Sequence, residues 1–190
     1  MKSDSLSTDN IRLAVVVPVY NHAATARKVV LDCLEHVSLV IVVDDGSTDD
    51  LIAELECLPV TYLRHSENRG KGSAILTGAH QARSMGATHM VTIDADGQHF
   101  AEQIPDFFAA IRKIPLAIVV GRRDFESVEV PGISRFGRGF SNFWLRVQTG
   151  LRMRDVQSGF RAYPLAVLEN LKLKETGYTL EIEVLVRAAW

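Results

Sequence analysis

The sequence predicts an α/β fold with a mostly parallel central sheet flanked by helices. Two observations carry that prediction. Short apolar runs rich in β-branched residues alternate with helical stretches from residue 11 to residue 120, and two of the runs break abruptly into carboxylates and a glycine. Alternation of this kind marks βα units, whose crossovers lay successive strands parallel and cover both faces of the sheet. Acids at the end of a buried strand fit the same picture, because open α/β sheets bind ligands outside the C-terminal ends of their strands.

The elements follow in order. Ile11 to Val17 is a strand, after which Pro18 is expected to stop ladder pairing and Asn21 to cap a helix over 22–36. Leu39-Val40-Ile41-Val42-Val43 has the unbroken apolar character of a strand buried on both faces. It runs into Asp44-Asp45-Gly46-Ser47-Thr48-Asp49-Asp50, where Gly46 permits a sharp exit and Ser47 or Thr48 caps a helix over 47–56. Strand 59–63, helix 70–85, strand 88–93, helix 102–112 and strand 116–120 continue the pattern. Gly121 to Gly139, with four glycines and one proline, reads mainly as a mobile loop. Tyr178 to Trp190 reads as a helix still in progress, with no Gly or Pro stop, so the chain end is expected to cut a longer pattern. Residues 1–10 form a loose polar tail, and 11–190 are long enough for one domain with a substantial core.

Composition narrows the class. A hydrophobic content of 47% with 23% charged residues is ordinary for a globular protein, and a net charge of −2 argues against a generally basic nucleic-acid-binding protein. Cys33 and Cys57 fall in predicted helical stretches without metal spacing, which reads as reduced, buried thiols of a cytoplasmic protein. No apolar run approaches the ~20 residues that span a bilayer. The histidines at 22, 36, 65, 80, 89 and 99 have no metal spacing; His99 follows the Asp-x-Asp near the site, most are expected at surface or half-buried positions, and none is assigned as a base.

The chemistry concentrates at strand ends. Asp94-Ala95-Asp96-Gly97-Gln98-His99 follows the apolar run 89–93 and offers two carboxylates and an amide, hard oxygen ligands suited to Mg²⁺ or Mn²⁺. Such an ion takes only one or two protein carboxylates and completes its shell with phosphate oxygens and water. An isolated Asp-x-Asp is usually a surface turn; here a second strand ends the same way, so one shared site is the better reading. Tyr20 either offers a flat face to a base or sugar or is a half-buried aromatic at a strand end. Asn68-Arg69-Gly70-Lys71-Gly72-Ser73 lacks P-loop spacing. Its glycines serve either close approach of backbone N–H groups to a ligand or close packing at a helix start. The flank Arg122–Arg161 holds eight arginines (122, 123, 135, 138, 146, 152, 154 and 161), no lysine and four acids. Arginine grips phosphate with a rigid donor fork, so part of this flank suits a diphosphate or an anionic lipid headgroup and the rest a solvated face.

Val17-Pro18-Val19-Tyr20-Asn21, Val42 to Asp49, Asn68 to Gly72 and Asp94 to His99 occur in the order seen in family 2 glycosyltransferases, which the chain resembles. Val120-Gly121-Arg122-Arg123, Asp155 to Arg161 and Glu181 to Ala188 are similar to the branch of dolichyl-phosphate mannose synthases and bacterial polyprenyl-phosphate sugar synthases. The resemblance implies a GT-A-type fold. It implies that Pro18, Tyr20 and Asp45 hold the nucleoside of a UDP- or GDP-sugar, with Asp45 accepting from a base N–H. Asp94, Ala95 and Asp96 match the metal-and-diphosphate motif, with Gln98 as an added ligand, and Arg123 matches an arginine that contacts the diphosphate. Asp96 and Arg123 would then assist departure of the nucleoside diphosphate, with Arg135 or Arg138 as a further cation.

Inverting transfer to a lipid phosphate needs no strong base, because that oxygen is already ionised. Transfer to a hydroxyl of a glycan needs a carboxylate, for which Asp155, Glu181 and Glu183 are candidates. A sugar-phosphate nucleotidyltransferase would require a Gly-rich basic loop after the first strand, and a nicotinamide-binding Rossmann enzyme a G-x-G-x-x-G there; neither is present. A non-catalytic nucleotide-sugar-binding module is the other competitor, which the intact Asp94, Asp96 and Arg123 oppose. The expectation is a cytoplasmic enzyme with peripheral contact at a membrane surface.

Overall fold

The computed structural model describes residues 10–121, 145–151, 153, 155–156 and 158–190. In chain order the elements are β1 (Leu13–Val19), α1 (Ala23–Leu34), β2 (Val40–Asp44), α2 (Leu51–Glu54), β3 (Thr61–Arg64), α3 (Lys71–Ser84), β4 (His89–Thr92), a 3₁₀ turn (Ala101–Gln103) leading into α4 (Ile104–Lys113), and β5 (Val119–Val120). There follow α5, helical over its described residues 145–149, then β6 (Arg161–Pro164), α6 (Leu165–Asn170) and α7 (Leu180–Ala189). The described strands form one sheet in the order β3-β2-β1-β4-β6-β5. β1 pairs in parallel with β2 and β4, and β2 with β3, while β6 runs antiparallel to both β4 and β5.

Both faces of the sheet are covered, as the unbroken apolar strands require. Val15, Val17, Val19, Val42 and Val91 pack on one side with α1 and α4. Ala14, Val16, Ile41, Val43 and Met90 pack on the other with α3, α6 and α7. Period-two alternation sends neighbouring residues of a strand to opposite faces, so each strand contributes to both layers.

Several local expectations change. Pro18 does not end β1; it lies within it, paired with Val43. The N–H and carbonyl of Val15 and Val19 face β2, since Val15 donates to Leu39 and Val19 accepts from Asp45. Pro18 therefore turns its missing donor toward β4, whose pairing with β1 has stopped at Thr92. The helix expected over 47–56 shrinks to Leu51–Glu54, and Cys57, with φ of 64°, is exposed and outside any helix. Cys33 is buried as expected, and burial pushes its thiol up to about 12. β6 was not anticipated: it is short, ends in proline and begins with an arginine. That residue, Arg161, is fully buried and donates to the carbonyls of Ser158 (2.6 Å), Val156 (2.5 Å) and Glu181 (2.5 Å). It joins β6 to α7 and is not a phosphate ligand.

Asp44 is a structural acid. Its Oδ2 accepts from the Tyr62 hydroxyl (2.6 Å) and lies 3.0 Å from Arg64, and its Oδ1 accepts from the Ser47 N–H (2.7 Å). Burial alone would raise its carboxyl, but Tyr62, Ser47 and Arg64 outweigh burial and hold it below the usual aspartate range. A depressed carboxyl stabilises the fold above its unfolded-state pKa of ~4 and loses that contribution as pH falls through the lower folded value. Asp44→Asn is expected to cost about 2 kcal/mol at neutral pH, leaving the exposed Arg64 out of account. Its urea midpoint should fall less on acidification than that of the wild type. Parallel pH curves for the two proteins would show that Asp44 is not the group responsible.

Candidate active site

The chain runs β1, β2, β3 on one side and then crosses to β4 on the other, so the carboxyl ends of β1 and β4 diverge at a switch point of the sheet. A cavity of about 280 Å³ opens there. β1 lines it with Pro18, Val19 and Tyr20, the β2 exit with Asp45, the β4 exit with Asp94, Ala95 and Asp96, and the start of α3 with Gly70, Lys71 and Ala74. His22, Asn68 and Tyr178 complete the lining. Pro18, Tyr20, Asp45, Asp94, Ala95 and Asp96, distant in sequence, thus meet in one place. Gln98 does not join them: its side chain is exposed and outside the lining, and its N–H donates to Asp96 Oδ1 (2.9 Å).

The loops that carry these residues are stitched to one another. Asn21 sits in the left-handed region (φ 56°), and its Oδ1 accepts from the N–H (2.7 Å) and hydroxyl (3.1 Å) of Thr48. The Ser47 hydroxyl accepts from the Asn21 N–H (3.0 Å). Asn21 therefore does not cap α1. Asp49 takes that task from the neighbouring loop, accepting the Ala23 N–H at 2.8 Å. Asp50, Ser47 and Thr48 make no side-chain cap on α2. The Thr25 hydroxyl donates to the Ala95 carbonyl (2.5 Å), tying the Asp94–Asp96 turn to α1.

Asp45 is buried and holds the next loop. Its Oδ1 accepts from the Arg69 N–H (3.0 Å), its Oδ2 from the Gly70 N–H (2.8 Å), and His65 Nδ1 lies 2.6 Å from Oδ1. Both readings of the Asn68–Ser73 stretch find support. Gly70 and Lys71 line the cavity, while a Cβ on Gly70 or Gly72 would come within 2.7 Å of the Thr176 carbonyl oxygen.

The sequence did not reveal a charge network at the cavity wall. The Lys71 ammonium lies 2.7 Å from Asp94 Oδ1 and 2.9 Å from Glu181 Oε1. Burial alone would lower Lys71, but Asp94 and Glu181 outweigh it and hold the ammonium above its ordinary value. Burial raises the Glu181 carboxyl, with Lys71 and Arg161 opposing. A signal was present: Lys71 opens α3, where the helix dipole disfavours a cation, so it needs nearby anions. Of the other base candidates, Glu183 accepts from the N–H groups of Lys174 and Glu175 and from Arg187, and Asp155 is buried. His65, His89 and His99 are buried rather than superficial.

Among the described residues no three His, Cys, Asp or Glu side chains gather into a self-contained metal site. Two carboxylates on one cavity suit an ion that keeps water and phosphate oxygens as its other ligands, so the donor set fits Mg²⁺ or Mn²⁺.

Residues 14–172 match the glycosyl transferase family 2 profile. The chain belongs to glycosyl transferase family 2. The UDP-N-acetylglucosamine–dolichyl-phosphate N-acetylglucosaminyltransferase of Methanococcus voltae is 30% identical to this glycosyltransferase over 200 residues, spanning 92% of this chain and 78% of its own. The undecaprenyl-phosphate mannosyltransferase of Micrococcus luteus is 27% identical over 192 residues, with 94% and 78% covered. Glucosyl-3-phosphoglycerate synthase of Mycobacterium tuberculosis, crystallised with Mn²⁺ and UDP-glucose, matches with a TM-score of 0.74 at 21% identity, over 95% of this chain and 65% of that one. At that identity the likeness shows the fold, which is GT-A-like.

Arg122, Arg123, Arg135, Arg138, Arg152 and Arg154 of the glycosyltransferase, with most of the loop expected over 121–139 and residues 1–9 of the tail, lie outside the described residues. Arg146 is exposed on α5. A further glycine bears on the site from outside the cavity lining. A Cβ on Gly159 would run into the carboxylate of Asp94. Gly159→Ala is therefore expected to displace Asp94 and weaken nucleotide-sugar binding about tenfold, a misplacement cost of modest size. Calorimetric affinity equal to wild type would show that Asp94 tolerates the shift.

Proposed function

We propose that this glycosyltransferase moves a sugar, with inversion, from a UDP- or GDP-sugar to a polyprenyl phosphate. The observation that carries the reading is the convergence of Asp45, Asp94, Asp96 and Lys71 on one cavity at the switch point of the sheet. The names of the Methanococcus and Micrococcus relatives support the acceptor. In this reading Tyr20 and Pro18 flank the nucleoside, Asp45 accepts from the base, and Asp94 and Asp96 hold the divalent ion beside the diphosphate. The ion supplies Lewis-acid stabilisation of the departing diphosphate. Arg123 is assigned to the same charge.

Two of the three candidate bases favour a phosphate acceptor. Glu181 is tied to Lys71, and Glu183 to backbone N–H groups and Arg187. Neither stands ready to take a proton from a hydroxyl, whereas a phosphate oxygen is largely ionised near neutrality. No described helix is long and apolar enough to cross a membrane. We assign contact with the lipid surface to arginines of the 122–154 stretch, with anionic headgroups adding about 1 kcal/mol per cation.

The test is transfer of radiolabelled sugar to a polyprenyl phosphate and, in parallel, to soluble glycan acceptors, with Glu183→Gln alongside the wild type. Transfer to the lipid phosphate, little changed in the variant, is the expected result. Transfer only to a hydroxyl acceptor, abolished by Glu183→Gln, would place the protein in another branch of the family.

A further inference from the structure

His65 is a buried titratable side chain that the proposed chemistry does not use. It lies just beyond β3 and is 7% exposed. Its Nδ1 is 2.6 Å from Asp45 Oδ1 and its Nε2 is 2.9 Å from the Thr77 hydroxyl on α3. A carboxylate only accepts, so Nδ1–H is the donor and the ring orientation is set from both ends. His65 is absent from the cavity lining, and Asp45 is part of it.

The acceptor positions of Asp45 can be followed one by one. A carboxylate offers about four lone-pair sites, two on each oxygen. Oδ1 takes the His65 ring N–H and the Arg69 N–H, and Oδ2 takes the Gly70 N–H. Among the described residues one position, on Oδ2, is left for a ligand. Its direction depends on the plane of the carboxylate, which the Arg69 and Gly70 N–H groups hold together with the side chain of His65, itself braced against α3 by Thr77.

We propose that His65 is a positioning residue for base recognition, aiming the remaining Oδ2 lone pair of Asp45 at a ring N–H of the donor nucleotide. The proposal rests on the assignment of Asp45 to the base. Uracil and guanine carry a ring N–H on their pairing edge, whereas adenine and cytosine do not. The Asp45–His65–Thr77 chain therefore selects UDP or GDP over ADP and CDP. Thr77 acts here through its bond to His65.

Calorimetric titration of the full chain with UDP, GDP, ADP, CDP and inorganic pyrophosphate, all with Mn²⁺, tests this. The wild type is expected to prefer UDP or GDP over ADP and CDP by at least about tenfold, the usual discrimination of a site built to pair an N–H. His65→Ala should lose most of that preference while keeping wild-type affinity for pyrophosphate. His65→Asn, whose amide N–H can stand in for Nδ1–H, should restore much of it. If His65→Ala does not fold, Thr77→Val and His65→Asn carry the comparison, with Thr77→Val losing part of the preference. Loss of preference in Asp45→Asn but not in the His65 or Thr77 variants would overturn the role of His65 and leave that of Asp45 intact. An unchanged preference in Asp45→Asn would remove the assignment of Asp45 itself. Parallel loss of pyrophosphate affinity in His65→Ala would reduce His65 to a structural part of the loop.

Discussion

Asp96→Ala is expected to lower sugar transfer by about a hundred- to a thousandfold, the usual loss when one group stabilising transition-state charge is removed. It should do so without unfolding the protein. Asp96 is half-buried at the cavity, and its described hydrogen bond is to the Gln98 N–H of its own turn. Losing that bond costs about 1 kcal/mol, which for a chain of this size moves Tm by only ~2–4 °C. Asp94 differs, because it shares the Lys71 ammonium with Glu181 and its removal disturbs the wall of the cavity. Turnover at saturating donor and Mn²⁺, measured beside a melting curve, separates the two effects. Near-wild-type turnover in Asp96→Ala would remove Asp96 from the reaction, and a much larger fall in Tm would recast it as a structural residue.

The second large effect is on stability. Lys71→Met is expected to cost about 3 kcal/mol, because breaking a buried ion pair strands a charge that water cannot reach. Exposure decides which partner suffers. The Asp94 side chain is 23% exposed and can be rehydrated, whereas that of Glu181 is 5% exposed and cannot. The double variant Lys71→Met/Glu181→Gln should therefore regain at least half of the loss, since a neutral amide asks less of its surroundings. Burial already raises the Glu181 carboxyl, and removal of Lys71 raises it further. A raised carboxyl is stabilising below its unfolded pKa, so the single variant should recover stability as pH falls and lose it as pH rises through the folded value. Urea denaturation at several pH values reads both outcomes. A Lys71→Met protein as stable as wild type at every pH would show that the network carries no net stability.

Much of this was legible in the residues. The unbroken apolar runs ending in Asp44-Asp45 and Asp94-Ala95-Asp96 located the central strands and the edge of the site, because burial on both faces and polar exits are written in local sequence. Other features depended on pairing across the fold. The place of Pro18 within β1 depended on where β4 stops, and capping of α1 by Asp49 on how two loops meet. β6 was hidden by the charge of Arg161, which is tolerable in a core only because three carbonyls converge on its guanidinium. Glu181 appeared as one of three candidate bases; its bond to Lys71, some hundred residues earlier, redefines it. The loop glycines suggested two uses, and the structure gives both to the same stretch: Gly70 lines the cavity and also leaves room for the Thr176 carbonyl.

Central to the proposed function is a cavity at the ends of β1, β2 and β4 that takes a nucleoside diphosphate together with a divalent ion. Without the ion, Asp94 and Asp96 would face a diphosphate of their own sign across a cavity of about 280 Å³. The decisive measurement is calorimetric titration of the wild-type chain with UDP and GDP, in Mn²⁺ or Mg²⁺ and again in chelator. Binding of one nucleotide that is at least about tenfold tighter with the ion, a difference of ~1.4 kcal/mol, is the predicted result. Equal affinity for both nucleotides with and without chelator would contradict it.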